Sequence, residues 1–147
     1  MRRFLGLLLC ALVVPATAAY AAGNDDALPK KFRAEANAVC RKSQRRIVAA
    51  QLTLFPDKAT DPQAASAVYL DDVQPIYRTL IRDLRALGYP RGRKAELRSI
   101  YAAMTRSMDR AVAKIEADPS VAVIGAGTFG DVNERLDAIG LTKCGSG

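Results

Sequence analysis

Three cysteines carry the most reactive side chains of this chain, and their positions suggest a disulfide bond. Cys40 and Cys144 stand near the two ends of a predicted helical region, whereas Cys10 lies in an apolar segment near the start. If that segment is removed on export, an even pair remains, which in an oxidising compartment is typical of a disulfide. The alternatives are two buried free thiols or a zinc site, for which two cysteines without a third ligand are poorly suited. We therefore predict a bond between Cys40 and Cys144.

The chain contains no histidine, which excludes several kinds of catalytic and metal site. Ser-His-Asp and Cys-His catalysis, and histidine-ligated zinc and haem, all need that side chain. Tyr101, Met104 and Met108 recur at helical spacing and could face a haem, but their place on a predicted helix seam favours core packing. Asp71 and Asp72 could do acid–base chemistry, but no second catalytic element accompanies them. We expect no catalytic residue, no cofactor and no metal.

A glycine-rich stretch matches a dinucleotide-binding turn but lacks its context. Gly125, Gly127 and Gly130 fit the pattern G-x-G-x-x-G after an apolar run. That site also needs a further strand and an acidic residue about 20 positions on, whereas only 17 residues follow Gly130. We interpret the stretch as a loop that leads into a short helix. The segment from Asp131 to Asn133 likewise lacks the rest of a calcium-binding loop.

Cations on the first predicted helix form the candidate binding surface. They point away from the apolar stripe of that helix, and they are Arg41, Lys42, Arg45 and Arg46. Such a face could contact anionic lipid, a cell-wall polymer or another polyanion. The alternative is a solvated surface that neighbouring acids partly neutralise. No nucleic-acid-binding motif and no interleaved aromatic residues accompany these cations, so we expect no nucleic-acid partner.

The first 21 residues have the order of a secretory signal peptide. Arginines at positions 2 and 3 precede an apolar run over residues 4–14, and small residues follow. A bilayer span needs about 20 residues, so the run is too short for the alternative, an uncleaved membrane anchor. Candidate cleavage sites end at Ala18 and Ala21, and we prefer Ala21. Cys10 lies inside the run and follows a leucine, so we predict no lipid attachment there.

Export would leave one positively charged domain. Removal of residues 1–21 takes away two arginines and no acid, so the net charge falls from +7 to +5. A polar lead over residues 22–28 precedes the predicted domain at 29–144, and residues 145–147 form a tail. A chain of this length supports a single domain with one core. We expect no transmembrane segment in the processed chain.

Apolar residues recur at steps of three and four along the domain, which predicts helices. Pro75 lies inside the second helix and predicts a kink or short break there, because its ring removes one backbone hydrogen bond. Thr60 is the candidate cap of this helix, and Gly88 marks its end. The conformation of residues 119–128 stays open. The predicted fold is an all-α antiparallel four-helix bundle closed by the disulfide, with three long helices and one short C-terminal helix, over residues 29–54, 60–87, 93–117 and 129–139.

Three short motifs stand together in this chain. They are Ala38-Val39-Cys40, Asp83-Leu84-Arg85-Ala86-Leu87 and a close from Asn133 through Leu136-Asp137-Ala138-Ile139-Gly140-Leu141-Thr142-Lys143-Cys144. With them the chain resembles a loose group of small exported bacterial helical proteins of unknown function. These proteins share an early helix cysteine, a proline-containing middle helix and a Gly-Leu-x-x-Cys ending. The resemblance covers most of the mature chain and implies a disulfide-closed helical fold, without implying an activity.

The residues favour a function by contact over a function by catalysis. The leading hypothesis is a secreted or envelope-associated helical domain that contacts a protein partner or a small ligand between its helices. The second hypothesis is a protein that binds polyanions or anionic lipid surfaces through the basic face of its first helix. A carboxylate-based enzyme is the third. Loss of affinity at high salt would separate the second hypothesis from the first.

We predict that the mature protein begins near Ala22 and lies outside the cytoplasmic membrane. The reason is the order of positive, apolar and small residues over positions 1–21. N-terminal sequencing of protein recovered from the envelope or the medium checks this, and an intact Met1 in those fractions would contradict it.

Overall fold

The computed structural model describes residues 27–55, 57–124 and 129–145, and every regular element in these ranges is helical. The predicted signal peptide at 1–21, most of the lead, the glycines at 125 and 127, and residues 146–147 lie outside them. The prediction of an all-helical domain is confirmed for the described ranges. The elements are α1 (Lys30–Leu52), α2 (Pro62–Ala67), a π-helical segment (Val68–Val73), α3 (Gln74–Ala86), α4 (Lys94–Ala117), α5 (Ser120–Ile124) and α6 (Gly130–Ala138).

Helix α1 follows from the apolar stripe that the sequence predicts. Its buried residues recur at steps of three and four, and they are Phe32, Ala36, Cys40, Ser43 and Ile47. The helix ends at Leu52, two residues before the predicted end. There the Thr53 hydroxyl donates to the carbonyl of Ala50 at 2.6 Å, and the amide of Phe55 donates to the carbonyl of Leu52 at 3.2 Å. These shorter-range bonds tighten the last turn before the chain reverses.

The start of α2 corrects one prediction. The sequence assigns the cap to Thr60, whereas the carboxylate of Asp61 accepts hydrogen bonds from the amides of Gln63 and Ala64 at 2.9 and 3.2 Å. The reason is the position of Pro62, which fits the first turn of a helix because its nitrogen has no hydrogen to donate. The capping residue is therefore the one directly before the proline.

The distortion predicted at Pro75 takes the form of a π-helical segment. The amide of Gln74 donates to the carbonyl of Tyr69, five residues back. In the same register the carbonyl of Leu70 would face Pro75, which has no donor. The side-chain amide of Gln74 donates to that carbonyl at 3.2 Å in the orientation that also accepts from Arg78. The widened turn therefore lets the helix continue through the proline into α3, as the unbroken apolar stripe predicts.

The region that the sequence left open contains helix α5. Asp118 precedes it, and its carboxylate accepts from the amide and the hydroxyl of Ser120, the first residue of the helix, at 3.0 and 2.6 Å. These hydrogen bonds lower the pKa of Asp118. Because residues 120–124 are helical, the glycine pattern that follows is not preceded by the strand that a dinucleotide site requires.

Helix α6 begins and ends as the sequence predicts. The ring of Phe129 stacks on Tyr77 of α3, with ring centroids 5.3 Å apart. At the other end, Gly140 has φ +83°, and the amide of Leu141 donates to the carbonyl of Leu136 at 2.8 Å. These are the features of a Schellman motif, in which glycine supplies the left-handed residue.

Two apolar clusters hold the helices together. The larger one joins α1, α3, α4 and α6 around Tyr101 and Leu84, both fully buried, and it also includes Leu28 from the lead. The smaller one joins Ile47 of α1 with Val73 and Ile76. Helix α1 packs against the π segment and α3, α3 packs against α4, and α4 packs against α6. The C-terminal half of α1 is therefore supported mainly by the smaller cluster.

Two glycines with positive φ give a test of the packing at the end of α6. Gly88→Ala should destabilise the protein by about 1–2 kcal/mol, because an L-residue is strained in the left-handed region. Gly140→Ala should cost more, because its Cβ would lie 2.6 Å from Cδ of Arg33, whereas the Cβ at Gly88 would meet nothing within 4 Å. Urea denaturation of both variants measures the difference, and equal losses would contradict it.

Candidate functional site

The predicted disulfide is present and joins α1 to the end of the chain. Cys40 lies on the buried face of α1, and Cys144 follows α6, with Cα atoms 5.0 Å apart and 104 positions between them in sequence. Cys144 comes three residues after Leu141, which is itself fully buried. The bond therefore attaches the last described residues to the first helix.

Asn37, which was not among the residues predicted from the sequence, reinforces this attachment. Its Nδ2 donates to the carbonyl of Gly140 at 3.1 Å, and its Oδ1 accepts from the amide of Lys143 at 2.9 Å. One side chain thus pairs with both kinds of backbone group in the segment that leads to Cys144. The available signal was an asparagine inside a helix, where its propensity is poor, one turn before Cys40.

Two further contacts complete what we call the chain-end clamp, formed by residues 139–145 with Leu28, Arg33, Asn37 and Cys40. The amide of Leu28 donates to the carbonyl of Ile139 at 3.1 Å. Arg33 lies over Gly140, where an added Cβ would lie 2.6 Å from Cδ of Arg33. The clamp therefore fixes both the start of α1 and the end of α6.

The four cations predicted as a binding surface lie together on the outer side of α1. Arg41, Lys42, Arg45 and Arg46 are all exposed, and with Ala38 they line a shallow surface groove. Among the described residues, no acidic side chain lies within ion-pair distance of any of them. The ion pairs that the structure does show involve other arginines, for example Arg82 with Asp83 at 3.1 Å.

Acidic residues do approach one edge of this surface. Arg46 lines a groove together with Asp71 and Asp72 of the π segment. Both carboxylates are exposed, and the lining of the groove also includes Thr79 and Pro75. Of the four cations, only Arg46 lines this groove with Asp71 and Asp72.

Exposed apolar residues continue the outer face of α1 beyond the cations. Val48, Leu52 and Phe55 keep 42%, 60% and 64% of their surface exposed. The sequence-based prediction rested on the buried stripe of this helix and did not include this second one. Large apolar side chains this exposed are informative when they are neighbours, because a cluster of them favours a partner.

The residues considered for haem ligation belong to the core, as predicted. Tyr101, Met104 and Met108 are 0%, 4% and 1% exposed. Burial, with a smaller contribution from Tyr89, raises the pKa of Tyr101 to about 12. The described residues contain no group of three histidine, cysteine, aspartate or glutamate side chains placed to hold a metal ion.

No protein-family model, curated protein or solved structure matches this chain. Its function must therefore be inferred from the residues of the chain itself. Within the parts of the chain that the structure describes, no helix is both long and apolar enough to cross a membrane.

The clamp predicts how stability depends on redox state. Reduction of the disulfide should destabilise the protein by about 2–4 kcal/mol, because a cross-link across so long a loop restricts the unfolded chain. Helix α6 should then become accessible first, because it has only nine residues and loses the bond that holds the segment after it. Thermal denaturation with and without reductant, and limited proteolysis over residues 129–145, measure both effects. An unchanged melting temperature would contradict the prediction.

Asn37→Ala separates the hydrogen bonds from the covalent bond. In the oxidised protein it should cost about 1–3 kcal/mol, since two backbone partners lose their hydrogen bonds. In the reduced protein the cost should be smaller, because the segment that Asn37 holds is already partly detached. Gln44→Ala, an exposed change on the same helix, is the control and should have little effect. Equal costs for Asn37→Ala in both redox states would show that the two attachments act independently.

Proposed function

We propose that this protein is an exported, non-enzymatic helical domain of the cell envelope that binds an anionic surface through the outer face of α1. The observation that carries the proposal is the group of four exposed cations on that face, Arg41, Lys42, Arg45 and Arg46. Since they have no acidic partner among the described residues, their field acts outward. Clustered phosphate or carboxylate groups are the matching chemistry.

Export is part of this proposal. The order of residues 1–21 is that of a signal peptide, and disulfides persist mainly in oxidising compartments, where such a signal would lead the chain. Cell envelopes present anionic lipid and anionic polymer, so a protein exported to the envelope would meet surfaces that the cations of α1 can bind.

A second candidate function is contact with a protein partner or a small ligand. A cavity of about 200 Å³ beside the disulfide, lined by residues such as Tyr77, Met104 and Phe129, is the candidate place for a ligand. Ligand pockets are usually about 300–1,000 Å³, and this cavity is smaller. The concavities of that size, such as one of about 360 Å³ lined by Phe32 and Tyr89, are grooves open to solvent, so we place the surface contact first.

We also propose that the main helices form an antiparallel bundle. Three observations support this arrangement. Phe32 near the start of α1 and Leu87 at the end of α3 line the same groove. Leu54, just after α1, and Val68, at the start of the π segment, line the same pocket. Arg135, late in α6, donates to Ser99, early in α4, at 3.0 Å.

A matched pair of variants tests the role of the cations. Replacement of Arg41, Lys42, Arg45 and Arg46 by glutamine should abolish binding to anionic vesicles and to a heparin column. The control replaces three arginines and one lysine that are also exposed, on or beside α4, namely Arg91, Arg98, Arg106 and Lys114. It lowers the net charge by the same amount and should keep most of the binding. Far-UV circular dichroism confirms that both variants fold.

The salt dependence of the parent protein gives a second measure. Its retention should weaken as salt rises, because the Debye length is about 10 Å at 0.1 M and about 3 Å at 1 M. Equal loss of binding in both variants would assign the effect to net charge and not to α1. No binding by the parent would show that the cations are a solvated surface.

A further inference from the structure

The outer face of α1 carries a stripe in which charge and apolar surface follow one another along the helix. Arg41, Arg45, Val48, Leu52 and Phe55 succeed each other at steps of four, three, four and three residues. The first four lie within α1, where residues at this spacing share one side of the helix and span about 17 Å at 1.5 Å per residue; Phe55 lies in the turn that follows. The cations occupy the first part of the stripe and the large apolar side chains its last part.

The apolar part lies at the tip of the helix. Leu52 is the last residue of α1, and Phe55 follows in the turn that the amide–carbonyl bond back to Leu52 closes. Phe55 is 64% exposed, in contrast to Ile47 on the opposite side of the helix, which is 5% exposed and packs in the smaller cluster. The helix is thus anchored on one side and presents apolar side chains on the other.

The order of residues along the stripe distinguishes between anionic partners. A soluble polyanion would contact Arg41 and Arg45 but would leave Val48, Leu52 and Phe55 in water. A bilayer surface offers phosphates to the cations and an apolar boundary a few ångströms deeper to the other side chains. Asp57 and Lys58, which follow the tip, add no net charge, so attraction comes from the cationic part.

From this arrangement we infer that the anionic surface is a lipid bilayer, with the cations of α1 on the headgroups and Val48, Leu52 and Phe55 inserted at the interface. The inference rests on the proposed function, because it takes the cation face as the binding face. The inference also predicts how α1 lies on the bilayer. The helix is tilted, and its C-terminal end lies deeper, nearer the acyl chains. The chain-end clamp holds the other end of the helix in the domain, so the protein docks as a folded unit.

A single tryptophan reports insertion directly, because the chain contains none. Phe55→Trp in the exported, oxidised protein should shift its emission to shorter wavelength with vesicles of mixed phosphatidylglycerol and phosphatidylcholine, and brominated lipid should quench it. Neutral vesicles should produce a much smaller shift. The control is Ala113→Trp, at an exposed position of α4, which should show neither effect. Unshifted, unquenched emission from the Phe55→Trp variant, in protein that cosediments with the vesicles, would overturn the inference.

A polar variant tests whether the apolar side chains contribute to binding. Val48→Thr, Leu52→Gln and Phe55→Gln together should weaken vesicle binding by about tenfold or more, because less apolar area leaves water. Binding to heparin should be unchanged, since the cations remain. These positions are exposed, so the fold should be kept, and circular dichroism checks it.

The outcomes separate the inference from the proposed function. Vesicle and heparin binding that both survive in the polar variant would overturn the inference and leave anionic-surface binding intact. A parent protein that binds neither probe would overturn both. A parent that dimerises without lipid, and loses the dimer in the polar variant, would show that the stripe is covered by a second copy of the chain and would overturn the inference.

Discussion

The fold depends on the attachment of the chain end to the first helix. Helix α6 has only nine residues, and isolated helices of that length are marginal in water. Its stability must therefore come from packing and from the disulfide between Cys40 and Cys144. Asn37 adds a pair of hydrogen bonds that orient the intervening backbone. Once the end is held, Ile139 and Leu141 complete the core that α1, α3 and α4 share.

Because of this attachment, the two sides of α1 serve different purposes. The inner side carries the cysteine and the residues that pack in both clusters, so changes there act on stability. The outer side carries cations and exposed apolar residues that no described element covers. A face with no structural partner can be selected for what it binds, and the exposure of Leu52 and Phe55 is hard to explain by stability alone.

The π-helical segment supports the packed inner side of α1 close to the exposed tip of that helix. By accommodating Pro75 it keeps Val73 and Ile76 in phase with α3, and these two residues support Ile47 of α1. This cluster is small and separate from the main core. The tip of α1 is therefore the less strongly held end of the helix, and local opening should begin there before it reaches the clamp. A surface that inserts side chains into an interface benefits from such freedom, while the clamp keeps the domain intact.

Several features of this protein followed from its sequence because they depend on local rules. The buried stripe of α1, the glycine ends at Gly88 and Gly140 and the core positions of Tyr101 and Met104 follow from periodicity and from the special backbone freedom of glycine. The disulfide followed from the number of cysteines and the predicted export. The continuation of the helix through Pro75 followed from the unbroken phase of its apolar residues.

Other features required the tertiary structure, since they depend on which surfaces meet. The C-terminal half of α1 and the turn after it carry two apolar stripes, one through Ile47, Ala50 and Leu54 and another through Val48, Leu52 and Phe55. Both advance by steps of three and four, and only the position of the π segment and its neighbours decides that the first is covered and the second is exposed. The role of Asn37 likewise depends on backbone more than 100 positions away. A pattern along the chain records which side chains share a face, but the packing of distant elements decides which face meets water.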